Sequence, residues 1–548
     1  MNSSSPTVSA GHVIVRSLAA HGVRRAYCVP GESYLDVLDG LHDSPVQAIV
    51  CRHEGGAAYM AEAEGKLSDV PGVAMVTRGP GAANAFVAVH TAWQDSTPMV
   101  LFVGLVPVAD RDRESFQEFD IRAWFGTTAK QVLVLDRAER ASETVAQAFH
   151  AARSGRPGPV VVGLPEDVIT QPVAPTVRPP IPVSGGGVGQ EDARVLREAL
   201  AAARRPLVIT GGNDWDQPTS TALTHWLEER QVPALSDWRA AGVVSSDSPA
   251  YAGWLGYGRD DAAARLLQDA DVLVLVGTVL GDVLTDGYTL RQALGATNIV
   301  VNVDTSLRGH SGAVTHQIVA KPREFVAALS ELDIPTRPGR PEWAAAARAA
   351  QERFAALPSG APLPEGPATM DSVMAHLVPD LPPDAVVTFG AGNHSGWAQR
   401  YFPTRTFASL LSTRNGSMGY SVPAAVAAGL AAPGRRVVAV AGDGEFMMNA
   451  NELATARQYG AAPLVVVMDN GQYGTIRAHQ EQHYPGRVSG TQLANPDFAA
   501  IARACGGHGE RVQRDDEVGA AVKRALGAVA EGRPALLHVV VDPSRLTP

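Results

Sequence analysis

The chain has 548 residues, 45% hydrophobic and 19% charged, with a formal net charge of −10. That length accommodates several domains with sizeable cores, and the negative balance argues against a nucleic-acid surface. Three cysteines, Cys28, Cys51 and Cys505, are too few and too scattered for a disulfide framework or a zinc site, and a reducing compartment is the simple reading.

The N-terminal stretch "MNSSSPTVSAGHVIVRSLAAHG" lacks a basic segment followed by an apolar one, so no signal peptide is expected. The longest apolar runs, such as "ADVLVLVGTVLG", have strand length and predict no membrane span. A soluble, cytoplasmic protein without membrane or nucleic-acid partners is expected. Short β-rich runs then alternate with alanine-rich helical stretches. "VQAIVC", "VAMVT", "MVLFVG" and "PVVVGLP" form a first block, whose pattern predicts a parallel sheet with helices on both faces. Proline and glycine crowd the residues near 170–190, "ITQPVAPTVRPPIPVSGGGVG", and mark a linker. A second α/β block carries "PLVITGG", "DVLVLVG" and "NIVVNVD". Another break, "ALPSGAPLPEGPA" at 356–368, precedes a third block with "DAVVTFG", "RRVVAVAGDG", "PLVVVMDN" and "PALLHVVVD". No short repeat is visible. The expected fold is α/β, with three doubly wound parallel-sheet domains over residues 1–172, 190–335 and 365–548.

The third block holds the strongest chemical signal. Gly442-Asp443-Gly444 follows the strand "RRVVAVA", at the edge of an open α/β sheet where ligands bind. Asn449 and Glu452 have capping-box spacing for the next helix, and Gly460 is placed to end it. The next strand, "PLVVVMDN", ends at Asn470, and adjacent parallel strands would bring Asp443 and Asn470 to one edge. One carboxylate, one amide oxygen and one backbone carbonyl are too few for a protein cage but suit magnesium that also takes phosphate oxygens. A metal-bound diphosphate is the functional reading. A strand-end turn with a solvated aspartate is the bland one, disfavoured by the position of Asn470.

This stretch resembles the thiamine diphosphate (ThDP) binding motif, which opens Gly-Asp-Gly and closes Asn-Asn. By that resemblance the side chains of Asp443 and Asn470 and the carbonyl of Gln472 hold Mg2+. Gly442, Gly444, Glu445, Tyr473 and Gly474 adjoin the cofactor. Two residues depart from the pattern: Asp469 replaces the first Asn, and Glu445 stands where a small residue is usual. A carboxylate there has to point away from a diphosphate. Upstream, "GAGNHSGW" resembles the diphosphate-contacting segment of acetolactate synthases, with Gly392, Asn393 and His394 as expected donors to phosphate oxygens.

"VCRHEGGAAYMAEAEGKL" and "GVAMVTRGPGAANA" look like the pyrimidine-binding domain of acetolactate synthases and their pyruvate oxidase, pyruvate decarboxylase and benzaldehyde lyase relatives. Taken alone, Glu54 in a first helical turn is ordinary dipole compensation. By the resemblance it is the catalytic glutamate, bonded to the ring nitrogen whose polarisation lets the cofactor's aminopyrimidine deprotonate thiazolium C2. In "NGSMGYSVPAAVAAGL", Met418 matches the apolar wedge beneath the bent cofactor, and the Gly416 carbonyl matches the acceptor for the 4′-amino group. The three domains are then pyrimidine-binding, central and diphosphate-binding. Since the cofactor in this family lies between domains of two subunits, a homodimer is implied, and a homotetramer is compatible.

Within "DRESFQEFDIRAWFGTTAK", Gln117 matches a glutamine reaching the reaction centre, and "VPGESYLDVL" puts Gly31, Glu32 or Ser33 near a substrate. The adjacent histidine pair of pyruvate decarboxylases has no clear counterpart, which favours carboligation over aldehyde release. Flavin-binding members carry an arginine after the strand matching "DVLVLVG". Here "GTVLGDVLTDGYTL" has none before Arg291, while Asp282 and Asp286 would repel phosphate, so FAD is not expected. Arg239, Gly211 and Gly212 are the residues that could still serve such a site. The expected activity is a ThDP- and Mg2+-dependent decarboxylation of a 2-oxo acid, with transfer of the carbanion to a carbonyl acceptor. The alternatives are an aldehyde lyase, a simple 2-oxo acid decarboxylase, and a non-catalytic ThDP-binding regulatory protein.

Overall fold

The computed structural model describes residues 7–361 and 366–548. Residues 1–6 of the N-terminal stretch and 362–365 of the second expected linker lie outside the described residues. Three six-stranded sheets organise the chain, and every strand pair within them is parallel. Their central strands are short apolar runs buried on both faces, such as Met99–Leu105, Val272–Val276 and Leu464–Asp469.

The first sheet runs Gln47–Val50, Arg25–Cys28, Gly72–Val76, Met99–Leu105, Pro159–Pro165, Gln131–Val134 in space. The third runs Leu410–Ser412, Val386–Phe389, Val437–Gly442, Leu464–Asp469, Ala535–Val540, His508–Val512. Counted in chain order, both read 2-1-3-4-6-5, so these two domains share a topology without sharing a visible repeat. The middle sheet reads 3-2-1-4-5-6, the order of dinucleotide-binding folds. In the middle sheet the winding direction reverses once; in the outer two it reverses between the first and third strands and again at the sixth, which lies inside the fifth. A crevice opens beyond the strand ends at the first reversal in each sheet. In the first it opens after Cys28 and Val76, in the third after Phe389 and Gly442, and in the middle one after Thr210 and Val276.

The outer domains of the chain pack on one another through helices Glu54–Leu67 and Ser421–Ala431. Both helices are rich in alanine, and one apolar cluster containing Ala57, Ala58, Ala61, Ala424, Ala425 and Ala428 spans the two domains. Small side chains let the backbones approach closely, so a buried ionic group in this interface must be fully satisfied. Lys66 Nζ lies 2.8 Å from Glu62, 2.6 Å from Asp95 and 2.7 Å from the Ser412 carbonyl. Tyr420 and Thr97 each donate to Glu62 at 2.7 Å. Every charge therefore has a partner, which makes the cluster tolerable and position-specific rather than strongly stabilising.

Candidate active site

At the crevice of the third sheet lies a cavity of about 240 Å³. Its lining includes Gly392, Asn393, His394, Gly416, Met418, Gly442, Asp443, Gly444, Glu445, Asn470, Gln472, Tyr473 and Gly474. Residues from four separated segments of the sequence thus meet at one cavity. Asp443 opens a helix, Asp443–Asn449, and its Oδ1 accepts the Gly444 N–H at 2.8 Å. Burial pushes its carboxyl up to about 6. Gly471, at φ 65°, turns the chain so that Asn470 Oδ1 accepts the Gln472 N–H at 3.2 Å. A side chain on Gly474 would lie 2.8 Å from both Asn393 and Asn470, and one on Gly444 would overlap the Tyr473 ring. Among the described residues, no three His, Cys, Asp or Glu side chains converge as a metal cage. The donor set is one carboxylate, one amide and carbonyl oxygen, and it fits a hard cation that shares phosphate oxygens.

Several details differ from the expectations. Asn449 does not cap the following helix; its amide is buried and donates to the Gly419 carbonyl at 2.7 Å. Glu452 does not complete a capping box either. It crosses to the first domain and accepts the N–H groups of Arg52 and His53 at 3.1 Å, just ahead of Glu54. Gly460 does end the helix, at φ 77°. Asn393 is partly committed elsewhere: its amide donates to the Leu546 carbonyl at 2.7 Å and its oxygen accepts from Thr475 at 2.9 Å. One N–H of the amide is thereby used, and one remains for a phosphate oxygen.

Glu445 borders the cavity, but its carboxylate is committed to protein partners. Its carboxylate is buried, takes the Ser421 N–H at 3.1 Å, and lies 2.8 Å from His394 Nε2, close enough for an ion pair though not aligned as a hydrogen bond. Gly390 makes room for it, since a side chain there would overlap Glu445. The opposite ring nitrogen of His394 faces Gly392 and Gly442 on the cavity side. Arg239 also approaches this region rather than the middle domain's own cleft. Buried between the Trp238 and Phe389 rings, it donates to the Gly390 carbonyl at 2.7 Å and to Ser395 and Ser412. Burial lowers its pKa to about 9, with the Glu445 charge pulling the other way. So the unusual glutamate has a buried cation from another domain nearby.

In the first domain, Glu54 opens helix Glu54–Leu67 and is half-buried; its Oε2 accepts from Asn84 at 2.9 Å. Gly81 stands beside the other oxygen, where even an added methyl would remain 3.4 Å away. Gly31 packs on Thr77. Ser33 is fully buried, with its hydroxyl 3.0 Å from Thr77, so it shapes this loop and cannot meet a substrate as expected. Glu32 is exposed and ion-paired at 3.1 Å with Arg78, which also pairs with Glu166. Gln117, at φ 64°, accepts the Gly79 N–H through its carbonyl at 3.1 Å and lines a cavity of about 680 Å³ together with Arg78. Glu54 lines neither this cavity nor that of the third domain. Asn84, Arg78 and Glu166 escaped the sequence reading, because no spacing links them before the sheet brings their strand ends together.

The middle domain's crevice is a cleft of about 370 Å³, bordered by Gly211, Gly212, Gly277 and Thr278. The segment after "DVLVLVG" indeed contributes no arginine. However, Arg156, Arg308 and Arg414 reach the cleft from elsewhere in the chain, alongside Asp214, Asp237, Asp282 and Asp304.

Family models of the thiamine pyrophosphate enzymes match in three places: the N-terminal TPP binding domain at residues 8–124, the central domain at 194–329, and the C-terminal TPP binding domain at 390–539. The acetolactate synthase isozyme 2 large subunit of Escherichia coli (strain K12) is 32% identical over 540 residues, covering 96% of this chain and 95% of its own. The acetolactate synthase of Mycobacterium bovis is 31% identical over 526 residues, 93% of this chain and 85% of its own. The mitochondrial acetolactate synthase catalytic subunit of Saccharomyces cerevisiae is 28% identical over 570 residues, 99% and 82%. With all three domains matched in order around these crevices, the chain belongs to the thiamine pyrophosphate enzyme family.

Proposed function

We propose that this protein is an acetolactate synthase-like carboligase that uses ThDP and Mg2+ to form or break a bond beside a carbonyl, with a 2-oxo acid as donor. The observation that carries the reading is the single cavity that gathers Asp443, Asn470, Gln472, His394 and Met418 at the switch point of the third sheet. ThDP supplies, when bound, a carbon acid whose conjugate base adds to carbonyl groups. The protein's own part divides between two domains. Asp443, Asn470 and the Gln472 carbonyl would hold the cation and, through it, the diphosphate. Backbone N–H groups of the 390–394 turn and the cavity-facing nitrogen of His394 would meet phosphate oxygens. Met418 would wedge the cofactor, and the Gly416 carbonyl would accept from its amino group. Glu54 would bond the pyrimidine nitrogen through the oxygen facing Gly81, because Asn84 occupies the other.

Glu54 is not part of the lining of the cavity that gathers the cation site, which supports assembly across two subunits. Exposed Met447, Met448 and Ile476 beside the third-domain cavity, and Val87 and Phe116 on the first domain, are apolar groups suited to such an interface. The dimer is therefore proposed as the active unit, in a reducing, cytoplasmic setting. No flavin is proposed, because four carboxylates face three guanidinium groups around the middle cleft and offer no net positive charge to a second diphosphate. The test is calorimetry: ThDP should bind with Mg2+ and lose most of its affinity in EDTA. Equal binding in both, or none in either, would overturn the reading.

A further inference from the structure

The carboxylate expected to hold the cation is itself held. Asp443 Oδ2 accepts a hydrogen bond from Asn495 Nδ2 at 2.8 Å, and the same amide nitrogen lies 2.7 Å from Asp469 Oδ1. Asp469 is the residue that departs from the Asn-Asn ending of the motif. Its Oδ1 also accepts the Gly471 N–H at 3.0 Å, while Oδ2 faces His538 Nε2 at 2.7 Å. His538 is buried and packs on Phe498, with ring centroids 4.6 Å apart. The backbone N–H of Phe498 points at its Nδ1 at 3.3 Å. An N–H can only donate, so Nδ1 accepts and the ring proton lies on Nε2, aimed at Asp469. Asp469 is thus surrounded by three donors: Asn495, Gly471 and His538. A side-chain amide has one oxygen and could not accept on both sides, whereas a carboxylate can. That chemistry accounts for aspartate at this position.

We infer that Asn495 is a positioning residue for the cation site: it fixes the rotamer of Asp443 and is itself oriented by Asp469 and, through it, by His538. The inference rests on the proposed role of Asp443. A ligating carboxylate whose second oxygen is hydrogen-bonded keeps its direction at no further entropic cost when the cation arrives. Loss of such an outer partner typically lowers metal affinity about 10- to 100-fold. Asp469 adds a second, non-ligating negative charge nearby, which also favours a cation.

The experiment is a Mg2+ titration at fixed ThDP, followed by calorimetry, on wild type, Asn495→Leu, Asp469→Asn and Asp443→Ala, with thermal unfolding of each apo protein. Asn495→Leu should need roughly 10- to 100-fold more Mg2+ for half-saturation, and saturating Mg2+ should restore wild-type ThDP affinity. A purely structural defect would not be rescued in this way. Asp469→Asn should shift the titration in the same direction by less. If Asn495→Leu titrates like wild type while Asp443→Ala loses binding, the inference fails and the cation site stands. Should Asn495→Leu not fold, a wild-type titration by Asp469→Asn overturns it equally. If wild type itself shows no dependence on Mg2+, or Asp443→Ala leaves it intact, the underlying site assignment fails and takes this inference with it.

Discussion

Glu54→Gln separates cofactor binding from chemistry. The change conserves shape: the glutamine oxygen can keep the Asn84 bond that Oε2 makes at 2.9 Å. What remains beside Gly81 is then an NH2 group, a donor where the carboxylate offered an anionic acceptor. In folding terms the cost is small, because a half-buried charge in a first helical turn contributes about 0.3–1 kcal/mol through the helix dipole. In the reaction the loss is larger, since an electrostatic contact specific to the transition state contributes about 3–4 kcal/mol. That converts to a rate drop of several hundredfold. ThDP affinity measured by calorimetry should stay within a few-fold of wild type, and carbon dioxide release under single-turnover conditions should fall by that factor. Turnover near the wild-type rate would refute the role given to Glu54, and a parallel collapse of ThDP affinity would refute the division of labour between the domains.

Asp443→Ala should abolish Mg2+-dependent ThDP binding, because it removes the one anionic protein donor; unchanged calorimetric affinity with EDTA present would contradict this. Lys66→Met should destabilise the fold by about 3–5 kcal/mol in urea unfolding, since Glu62 and Asp95 would be left buried without their cation. A loss below about 1 kcal/mol would mean that the cluster relaxes or takes up protons on these carboxyls. Purified protein should be colourless and fully active with ThDP and Mg2+ alone. Stoichiometric flavin in a yellow preparation would show that Arg156, Arg308 and Arg414 outweigh the carboxylates around the middle cleft.

Much of the architecture was legible because central parallel strands are long, apolar and buried on both faces. The reading found Met99–Leu105, Pro159–Pro165, Val272–Val276 and Leu464–Asp469 for that reason. It passed over the edge strands Gln131–Val134, Tyr251–Trp254, His316–Ile318, Leu410–Ser412 and His508–Val512, which are mostly short, and also the interior strands Arg25–Cys28 and Ala234–Ser236, of only 4 and 3 residues. Edge strands need no apolar run on both faces, and Gln131–Val134 and His508–Val512 are largely half-exposed. The cavity-lining residues were visible because glycines, a carboxylate and an amide fall at strand ends, where an open sheet binds ligands. Their supports were not. Asn495 and His538 lie on a different loop and strand from Asp443, and only the fold brings them within hydrogen-bond reach. Arg239 was read as a possible group for the middle cleft, but its backbone, at φ 66°, and two flanking rings turn it toward Gly390 instead. Glu452 has helix-capping spacing, yet its partners are the backbone of residues about 400 positions away, which no local pattern encodes.

Product analysis of the holoenzyme with a panel of 2-oxo acids, pyruvate included, tests the proposed carboligation. The account predicts carbon dioxide release only when ThDP and Mg2+ are both present, together with a carbon–carbon coupled product from at least one acid. Release of free aldehyde without coupling would move the assignment to a simple decarboxylase. No carbon dioxide from any acid, from protein that binds ThDP tightly, would contradict catalysis of this kind.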